Sequence, residues 1–354
     1  MFTQDEVTQA PRIPIEKVKR ILKNAWGIVS CDVQVLNGYE DMNFRATRCV
    51  WDHGMSEDET VIFKITNPVA ARNTRHLDFQ RHVCETLTSN GIPAPYYIPL
   101  KNSQKIWRLE KITDNVVLPV RLIRILPGTN LEHFPFDQNT VIRIGRLVGD
   151  FHNVMDMIPK AQWHQHIPFI AAENVDCAVK EVEILQKAGF LTPQKSMLVR
   201  KVFAELREML NESHNMDTGL IHSDINDTNI LVEQKEEQLE ITGLIDMGDV
   251  HCSLRIMDIG ATCLYLALGD SSDDKDWSRF PRWFLEGYES VRECADAAKI
   301  ISGMRARMAC SLICGLRAAR INYRKEHDAY VLKTQIRGWN MLEQLSRAGA
   351  HPLI

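Results

Sequence analysis

The sequence predicts an α+β protein with two lobes, a small antiparallel-sheet lobe followed by a larger and mainly helical lobe. Its 354 residues are more than one hydrophobic core usually serves. Short apolar runs of strand length prevail in the first 126 residues, and helical spacing of apolar residues prevails afterwards. An apolar content of 45% and a charged content of 25% are ordinary for a globular chain and exclude global disorder. We therefore place the lobes at 1–126 and 127–354.

In the first lobe, apolar spacing predicts one helix at 15–26 and a second at 76–89. The second helix ends at Asn90-Gly91, because glycine commonly follows the last helical turn. Apolar runs predict strands at 33–36, 43–50, 60–66, 105–112 and 116–126. Pro127-Gly128 then ends the sheet-rich region.

In the second lobe, Thr192 and Pro193 form an N-cap followed by proline at the first helical position, so a helix begins there. Helical spacing predicts further helices at 139–157, 256–268, 277–291, 295–323 and 328–347. One strand-rich island at 220–251 interrupts them. The acidic stretches 57–59 and 270–276 are expected to be solvated loops.

Composition excludes several classes of protein. With 42 basic and 46 acidic residues the net charge is −4, which does not point to nucleic acid or an anionic membrane as partner. Nine cysteines, an odd number without a CxxC pair, argue against a disulfide framework and against a zinc site. We expect neither a secretory signal nor a membrane span, because the N-terminus lacks an apolar core and no long uncharged apolar run exists. A cytoplasmic location is therefore expected.

The island at 220–251 carries three polar side chains at the edges of short apolar strands. Asp224 follows the first strand, Asn229 precedes the second, and Asp246 ends the third. Phosphoryl transfer from a nucleotide needs oxygen ligands for Mg²⁺ and a carboxylate beside the attacking hydroxyl. Asp-x4-Asn followed by Asp-x-Gly is the arrangement that protein kinases use for these tasks. Any one of the three could simply cap a turn, but three in the correct order favour a kinase site.

The segments 222–229 and 243–249 resemble the aminoglycoside phosphotransferase-like branch of the kinase superfamily. Within it they are most similar to the hydroxylysine kinases, whose motifs have the forms H-G-D-x-N-D-x-N and G-x-x-D-x-G-D. The segment 39–44 is similar to the family's nucleotide loop, and 120–128 is similar to its inter-lobe strand. The resemblance runs from about residue 30 to 347 and implies a protein-kinase-like fold.

The resemblance also implies roles for individual residues. Asp224 would be the catalytic base, and Asn229 and Asp246 would hold Mg²⁺. The nucleotide would be bound by the side chain of Lys64 on an apolar strand, by the loop that includes Asn43, and by backbone groups of Ile123 and Ile125 near the purine. Gln80 is included with these nucleotide-binding residues.

Three positions depart from the family pattern. Ser223 stands where glycine is usual, so a tight backbone approach there must tolerate a side chain. Met247 replaces a common phenylalanine, which should change packing only. Gln80 stands where the wider superfamily usually has glutamate, and Asp78 lies two residues earlier. Either of these two could orient Lys64.

Further side chains near the motifs have more than one interpretation. Asp249 could hold a substrate amino group or form a turn, and Asp258 could contact substrate or complement the N-terminus of its helix. His222 is expected to be a buried hydrogen-bonding residue rather than a general base.

The resemblance implies a Mg²⁺-dependent kinase that transfers the γ-phosphoryl group of GTP or ATP to a hydroxyl of a small, amino-bearing substrate. Its implied acceptor is 5-hydroxy-L-lysine and its implied donor is GTP. An aminoglycoside, choline or homoserine acceptor remains open, as does a catalytically inactive kinase-like binding protein. A metal-dependent phosphohydrolase using Asp224 and Asp246 is less favoured, because further His/Asp ligand clusters are absent from the sequence. The sequence does not predict the oligomeric state.

Overall fold

The computed structural model describes residues 5–52, 60–135, 137–162, 167–168, 170–236, 238–270, 276–322 and 328–348. The acidic stretch at 57–59 and most of the one at 270–276 lie outside these residues. Within them, an N-terminal antiparallel sheet is followed by a mainly helical region, as the sequence predicts. No helix of the described residues is long and apolar enough to cross a membrane.

The helices are α1 Ile15–Trp26, α2 Arg75–Ser89, α3 Gln138–Asp156, α4 Val175–Lys187, α5 Pro193–Asn211, α6 Arg255–Gly269, α7 Arg279–Glu289, α8 Ile300–Ile321, α9 Asp328–Val331 and α10 Gln335–Arg347. The strands are β1 Ile28–Leu36, β2 Met42–Trp51, β3 Val61–Ile65, β4 Tyr96–Ile98, β5 Trp107–Thr113, β6 Val116–Arg124, β7 Thr129–Asn130, β8 Thr218–Ile221, β9 Ile230–Lys235, β10 Gln238–Leu244 and β11 His251–Leu254.

The N-terminal sheet is antiparallel and has the order β1-β2-β3-β6-β4, with β5 also paired to β6. Alternation along β3 buries Val61, Phe63 and Ile65 in the core on one face, so Lys64 emerges on the other. The register places Lys64 opposite Asn43 of β2 and opposite Arg121 of β6. The sheet thus carries a row of three polar side chains across its inter-lobe face.

Two helices of the second region approach each other very closely near the site. A Cβ on Gly260 of α6 would lie 2.6 Å from the carbonyl carbon of Gly303 in α8, so only glycine fits at this crossing. The close crossing brings the N-terminal turn of α6 and the middle of α8 to the same side of the fold, where Asp258 and Arg307 lie.

The island at 220–251 forms two small sheets, one made of β10-β9-β7 and one made of β11-β8. The N–H of Leu244, at the end of β10, donates to the carbonyl oxygen of Pro93 at 3.0 Å, an ordinary length for a backbone hydrogen bond. The open end of the β9–β10 hairpin, where Asn229 precedes β9 and Asp246 follows β10, is therefore fixed against the chain that leads into β4.

The buried apolar side chains of the described residues form two cores. One lies within residues 10 to 122 and the other extends from Phe79 to Leu345. Phe79, Val83 and Leu87 of α2 pack into the second core although they precede residue 126. Helix α2 is thus shared between the lobes, and the boundary between 126 and 127 stays a prediction.

Some elements differ from the sequence prediction. Helix α4 and the short strands β4 and β7 are not among the predicted elements, and the helix expected at 328–347 is divided into α9 and α10 by a turn at 332–334. Strand β4 is too short to show an alternating pattern, and its pairing with β6 is what defines it.

Candidate active site

The carboxylate of Asp258 anchors the start of the segment 222–229. Its Oδ2 accepts the N–H of His222 at 2.7 Å, and its Oδ1 accepts the N–H of Ser223 at 2.6 Å. His152 Nε2 lies 3.2 Å from Oδ2, and Asp258 is fully buried. Burial raises the pKa of Asp258, but its hydrogen bonds with His152 and His222 outweigh burial and lower it. The predicted substrate contact is therefore corrected: Asp258 has no exposed surface and holds the loop instead.

Ser223 adopts the backbone conformation that explains why glycine is usual at this position. Its φ is +73°, in the left-handed region that side chains disfavour, and the residue is buried. The two amide bonds to Asp258 offset this local strain. The serine thus keeps the turn of the family pattern while adding a side chain to it.

Asp224 and Asn229 contact each other within the loop. Asn229 Nδ2 donates to the Asp224 backbone carbonyl at 2.9 Å and to Asp224 Oδ2 at 3.1 Å. Burial raises the pKa of Asp224, while Arg307 and His222 oppose this shift. Asn229 therefore holds the carboxylate of Asp224 by one oxygen and directs its own carbonyl oxygen elsewhere.

Backbone hydrogen bonds place Asp246 beside Asn229. Ile245 N–H donates to the Asn229 carbonyl at 2.9 Å, and the ring of His222 bonds to the Ile245 carbonyl at 3.0 Å through Nε2. Asp246 follows with φ +64°, which turns its side chain out of the strand direction. His222 is thus a buried hydrogen-bonding residue that ties the two motifs together.

Lys64 links the N-terminal sheet to this cluster. Its Nζ lies 3.3 Å from Asp246 Oδ1 and 3.2 Å from Asp41 Oδ2. Burial lowers the pKa of Lys64, but Asp246 and Asp41 outweigh burial and raise it. The ammonium of Lys64 in turn lowers the pKa of Asp246. The structure thus brings Lys64, Asp224, Asn229 and Asp246 together between the lobes, with an ionised lysine and an ionised Asp246.

Neither residue that was expected to orient Lys64 is bonded to it. Gln80 Oε1 accepts hydrogen bonds from Arg121 Nη1 and, at 3.4 Å, from the hydroxyl of Tyr97. Asp78 Oδ1 accepts from Trp107 Nε1 at 3.1 Å. Within the N-terminal sheet region, the carboxylate that pairs with Lys64 is that of Asp41. The sequence prediction did not single out this residue.

The other predicted nucleotide contacts lie along the same sheet. Asn43 is opposite Lys64, and its buried Oδ1 has no hydrogen-bond partner among the described residues. Ile123 pairs with β3 on one side and β4 on the other, so its backbone lies inside the sheet. Ile125 lies just beyond β6, and its N–H reaches the Thr60 carbonyl at only 3.5 Å. The backbone of Ile125 is therefore less engaged in sheet hydrogen bonds than that of Ile123, and the purine contact stays a prediction.

Arg307 of α8 is a site residue that the sequence prediction missed. Its Nη2 lies 2.5 Å from Asp224 Oδ1, and its Nε donates to the hydroxyl of Tyr265 at 2.9 Å. Tyr265 also bonds to Ser311 Oγ at 2.6 Å. Arg307 is buried, and a buried cation needs such partners. With Asn229 on Oδ2 and Arg307 on Oδ1, the orientation of the Asp224 carboxylate is fixed on both sides.

A second group of arginines lies at and beyond the C-terminal end of α8 in the sequence. From the sequence alone, the helical spacing of Arg317, Arg320 and Arg324 favours a solvated face over a site for a substrate carboxylate. Arg317 is instead buried, and Arg320 pairs with the buried Glu181 at 2.9 Å. Arg324 lies outside the described residues. The informative signal in the sequence is Arg307 itself, which lies among mostly apolar residues of α8, because a buried arginine requires a carboxylate partner.

Asp249 lies in the turn that follows Asp246. Burial and the nearby carboxylates of Asp224 and Asp246 raise the pKa of Asp249 to about 7, and Arg307 only partly opposes this. Three carboxylates in one cleft produce a local field that favours cations. The site as a whole is therefore acidic, with Lys64 and Arg307 at its two sides.

The donor set is suitable for Mg²⁺. With Nδ2 bonded to Asp224, Asn229 offers its carbonyl oxygen as a ligand, and the ionised Asp246 has a half-exposed side chain. No group of three or more His, Cys, Asp or Glu side chains able to hold a metal occurs among the described residues. Mg²⁺ needs no such group, since it commonly takes one or two side-chain oxygens and completes its shell with phosphates and water.

Comparison with known families assigns the chain. Residues 34–294, which include both motifs and Lys64, match the model of the phosphotransferase enzyme family called APH. The chain belongs to this family. It is accordingly a phosphotransferase with an alcohol acceptor, as the sequence motifs predicted.

Curated relatives within the APH family extend over nearly the whole chain. A hydroxylysine kinase from Xenopus laevis is 24% identical and aligns with 96% of this chain and 91% of its own length. A hydroxylysine kinase from Mus musculus is 21% identical and aligns with 98% of this chain and 93% of its own length. The resemblance noted in the motifs therefore continues through both lobes.

Solved structures of APH-like kinases share the fold. A microcompartment-associated aminopropanol kinase superposes with a TM-score of 0.72 at 14% identity, covering 96% of this chain and all of that one. The amicoumacin kinase hAmiN, solved in complex with AMP-PNP, Ca²⁺ and Ami, gives a TM-score of 0.65 at 15% identity, covering 92% of this chain and 93% of that one. The prediction of a bilobal kinase-like fold is confirmed.

Proposed function

We propose that this member of the APH family is a Mg²⁺-dependent small-molecule kinase that phosphorylates a hydroxyl of an amino-bearing acceptor, with 5-hydroxy-L-lysine as the foremost candidate. The proposal depends mainly on one observation, the convergence of Asp224, Asn229, Asp246 and Lys64 between the lobes. GTP and ATP are both candidate donors.

Asp224 is the proposed base. Its carboxylate would accept the proton of the acceptor hydroxyl while that oxygen bonds to the γ-phosphorus and the bond from phosphorus to the β-phosphate oxygen breaks. The nucleoside diphosphate is the leaving group, so atoms and charge balance. Asn229 and Arg307 hold the two carboxylate oxygens at 3.1 Å and 2.5 Å and fix the base before substrate arrives.

The nucleotide side of the reaction uses the inter-lobe face of the sheet. Lys64 would neutralise phosphate charge, and the unpartnered Oδ1 of Asn43 lies next to it. Asn229 and Asp246 would hold Mg²⁺, which supplies charge neutralisation on the transferring phosphoryl group. A purine would bond to backbone beyond β6, at Ile125.

The acceptor side is the acidic turn at Asp249. A carboxylate close to Asp224 and Asp246 favours an acceptor with a positively charged amino group. The curated relatives are named hydroxylysine kinases, and 5-hydroxylysine has a hydroxyl next to a side-chain ammonium. Both considerations support an amino alcohol acceptor, and the names of the relatives support hydroxylysine within that class.

An acceptor panel tests the proposal. The purified protein is incubated with Mg²⁺, with ATP or GTP, and with 5-hydroxylysine, aminopropanol, choline, homoserine and an aminoglycoside in parallel. We expect a phosphomonoester of 5-hydroxylysine, detected as the mass of one added phosphoryl group, and no product when Mg²⁺ is chelated. The ratio of kcat/KM for GTP and ATP identifies the donor.

Other results of the same panel identify the rival functions. Phosphorylation of another acceptor alone would keep the reaction and replace the substrate. Nucleotide binding without any product across the panel would support a binding protein, and cleavage of added phosphomonoesters would support a phosphohydrolase.

Replacing Arg307 with methionine tests the positioning of the base. We expect kcat to fall by about 10–100-fold while KM for the nucleotide changes little, because misplacing a reacting group by about 1 Å has effects of this size. Steady-state kinetics with the acceptor found in the panel measures both constants. Arg307→Lys should recover part of the loss, since it keeps the charge beside Asp224.

Arg305→Met is the matched control for Arg307→Met. Arg305 is also buried on α8, but it pairs with Glu205 and Ser302, both at 3.2 Å, away from Asp224. It should lower stability without this loss of kcat. Equal losses of kcat in the two variants would mean that Arg307 acts on the fold alone.

A further inference from the structure

Two cations lie side by side on the inter-lobe face of the N-terminal sheet. Lys64 of β3 and Arg121 of β6 are directly opposite each other in the ladder, with side chains only 11% and 3% exposed. Like charges at opposed positions in a sheet repel, and the repulsion is strong where water is excluded. This pair therefore needs a carboxylate close to both residues.

Asp41 supplies that carboxylate. Its Oδ2 lies 3.2 Å from Lys64 Nζ and 3.8 Å from Arg121 Nη2. Its Oδ1 accepts from the backbone N–H and from Nδ2 of Asn67, both at 2.8 Å. One oxygen is thus fixed by Asn67 and the other is directed at the two cations.

Helix α2 does not contribute a charge to this pair. In protein kinases a glutamate of the corresponding helix forms the ion pair with the strand lysine. Here the neutral Gln80 accepts a hydrogen bond from Arg121 and another from Tyr97. The amide of Gln80 therefore accepts one hydrogen bond of the Arg121 guanidinium but carries no charge. The negative charge beside Lys64 and Arg121 comes from a different segment of the chain.

The segment that carries Asp41 is held in place by its neighbours. A Cβ on Gly38 would lie 2.6 Å from the Asp41 carbonyl oxygen, so the turn closes tightly at glycine. The carbonyl of Glu40 accepts the N–H of Ala10 at 2.8 Å, and Ala10 is fully buried. Asp41 thus approaches Lys64 from a turn that the N-terminal segment supports.

We propose that Asp41 is the positioning residue for Lys64, taking over the task that a helix glutamate performs in protein kinases. This rests on the proposed function, since it assumes that Lys64 binds nucleotide phosphates. When a triphosphate binds, Asp41 keeps the ammonium of Lys64 directed at the phosphates and compensates the positive charge of Arg121. Substituting Asp41 should therefore weaken nucleotide binding while the acceptor site is unaffected.

Asp41→Asn tests the proposal, with Asp41→Glu as the conservative variant. We expect KM for the nucleoside triphosphate, and Kd for Mg²⁺–ATP by calorimetry, to rise about tenfold or more in Asp41→Asn. Asp41→Glu should recover most of the loss, and KM for the acceptor should stay within about twofold in both variants. Asp32→Asn is the control, because Asp32 is a surface carboxylate of β1 that pairs with Arg48.

Two results would overturn the proposal. Tighter nucleotide binding in Asp41→Asn would mean that Asp41 competes with the phosphates for Lys64. Unchanged binding, with thermal unfolding like that of the unmodified protein, would mean that Asp41 is not needed to position the lysine. The calorimetric measurement requires no acceptor, so it remains informative even if no acceptor in the panel is phosphorylated.

Discussion

Asp224→Asn is expected to lower kcat by at least about 100-fold while Mg²⁺–nucleotide binding is retained. A positioned base contributes about 10²–10⁴-fold to the rate, and asparagine cannot accept the proton of the acceptor hydroxyl. The amide has nearly the shape of the carboxylate, and neither Lys64 nor Asp246 bonds to Asp224. Steady-state turnover with the phosphorylated acceptor, together with calorimetry of Mg²⁺–ATP, separates the two effects.

The control for Asp224→Asn is Asp150→Asn. Asp150 is a partly exposed carboxylate of α3 whose ion pair with Arg146 has a distance of 3.7 Å, so its loss should leave kcat unchanged. Turnover of Asp224→Asn within about threefold of the unmodified protein would show that another group accepts the proton, and the assignment of the base would have to be abandoned.

The part of the site that the sequence predicted is local in the chain. Asp224 and Asn229 are five residues apart, and Asp246 follows on the next hairpin, so one loop and one β-hairpin determine their geometry. The spacing of the residues carries this information because short connections allow few conformations. The resemblance to known kinases added Lys64, which lies 182 residues from Asp246 in the sequence.

The partners that the sequence did not predict are set by packing between distant segments. Arg307 meets Asp224 across 83 residues, because α6 and α8 cross closely at Gly260 and Gly303. Asp41 reaches Lys64 from a turn whose position depends on the N-terminal segment. Spacing does not encode such contacts, but charge does: Lys64 and Arg307 both lie on apolar elements, where each needs a carboxylate.

The role of Asp258 shows how an acidic residue near a site can be misassigned. In the sequence, its place at the start of a helix is compatible with binding a substrate amine or with complementing the helix dipole. Only the fold reveals that its carboxylate accepts hydrogen bonds from the backbone N–H groups of His222 and Ser223, on a loop 36 and 35 residues away. Backbone donors leave no trace in a sequence, so this function could not be predicted from residue types.

Asp258→Asn is expected to lower the free energy of unfolding by about 3 kcal/mol or more, because it removes a buried charge that accepts two backbone amides and contacts His152. Urea denaturation followed by circular dichroism measures the change. Asp150→Asn again serves as the control and should change stability by less than about 0.5 kcal/mol, as is usual for surface sites. If Asp258→Asn does not fold, the pH dependence of the unmodified protein still tests the role.

That pH dependence follows from the direction of the pKa shift of Asp258. Its folded-state pKa is lower than the ordinary value, so its contribution to stability is complete above the ordinary aspartate pKa of about 4 and is lost as the pH falls through and below it. The backbone N–H of Ser223, a residue with a φ of +73°, then loses the charged Asp258 carboxylate as its acceptor. Acid should therefore loosen the 222–229 loop before the N-terminal sheet unfolds, and the hydrogen-exchange protection factors should fall first at the amides of His222 and Ser223. Protection factors at these two amides that stay unchanged between pH 6 and pH 3, while the rest of the chain unfolds, would contradict the anchoring role.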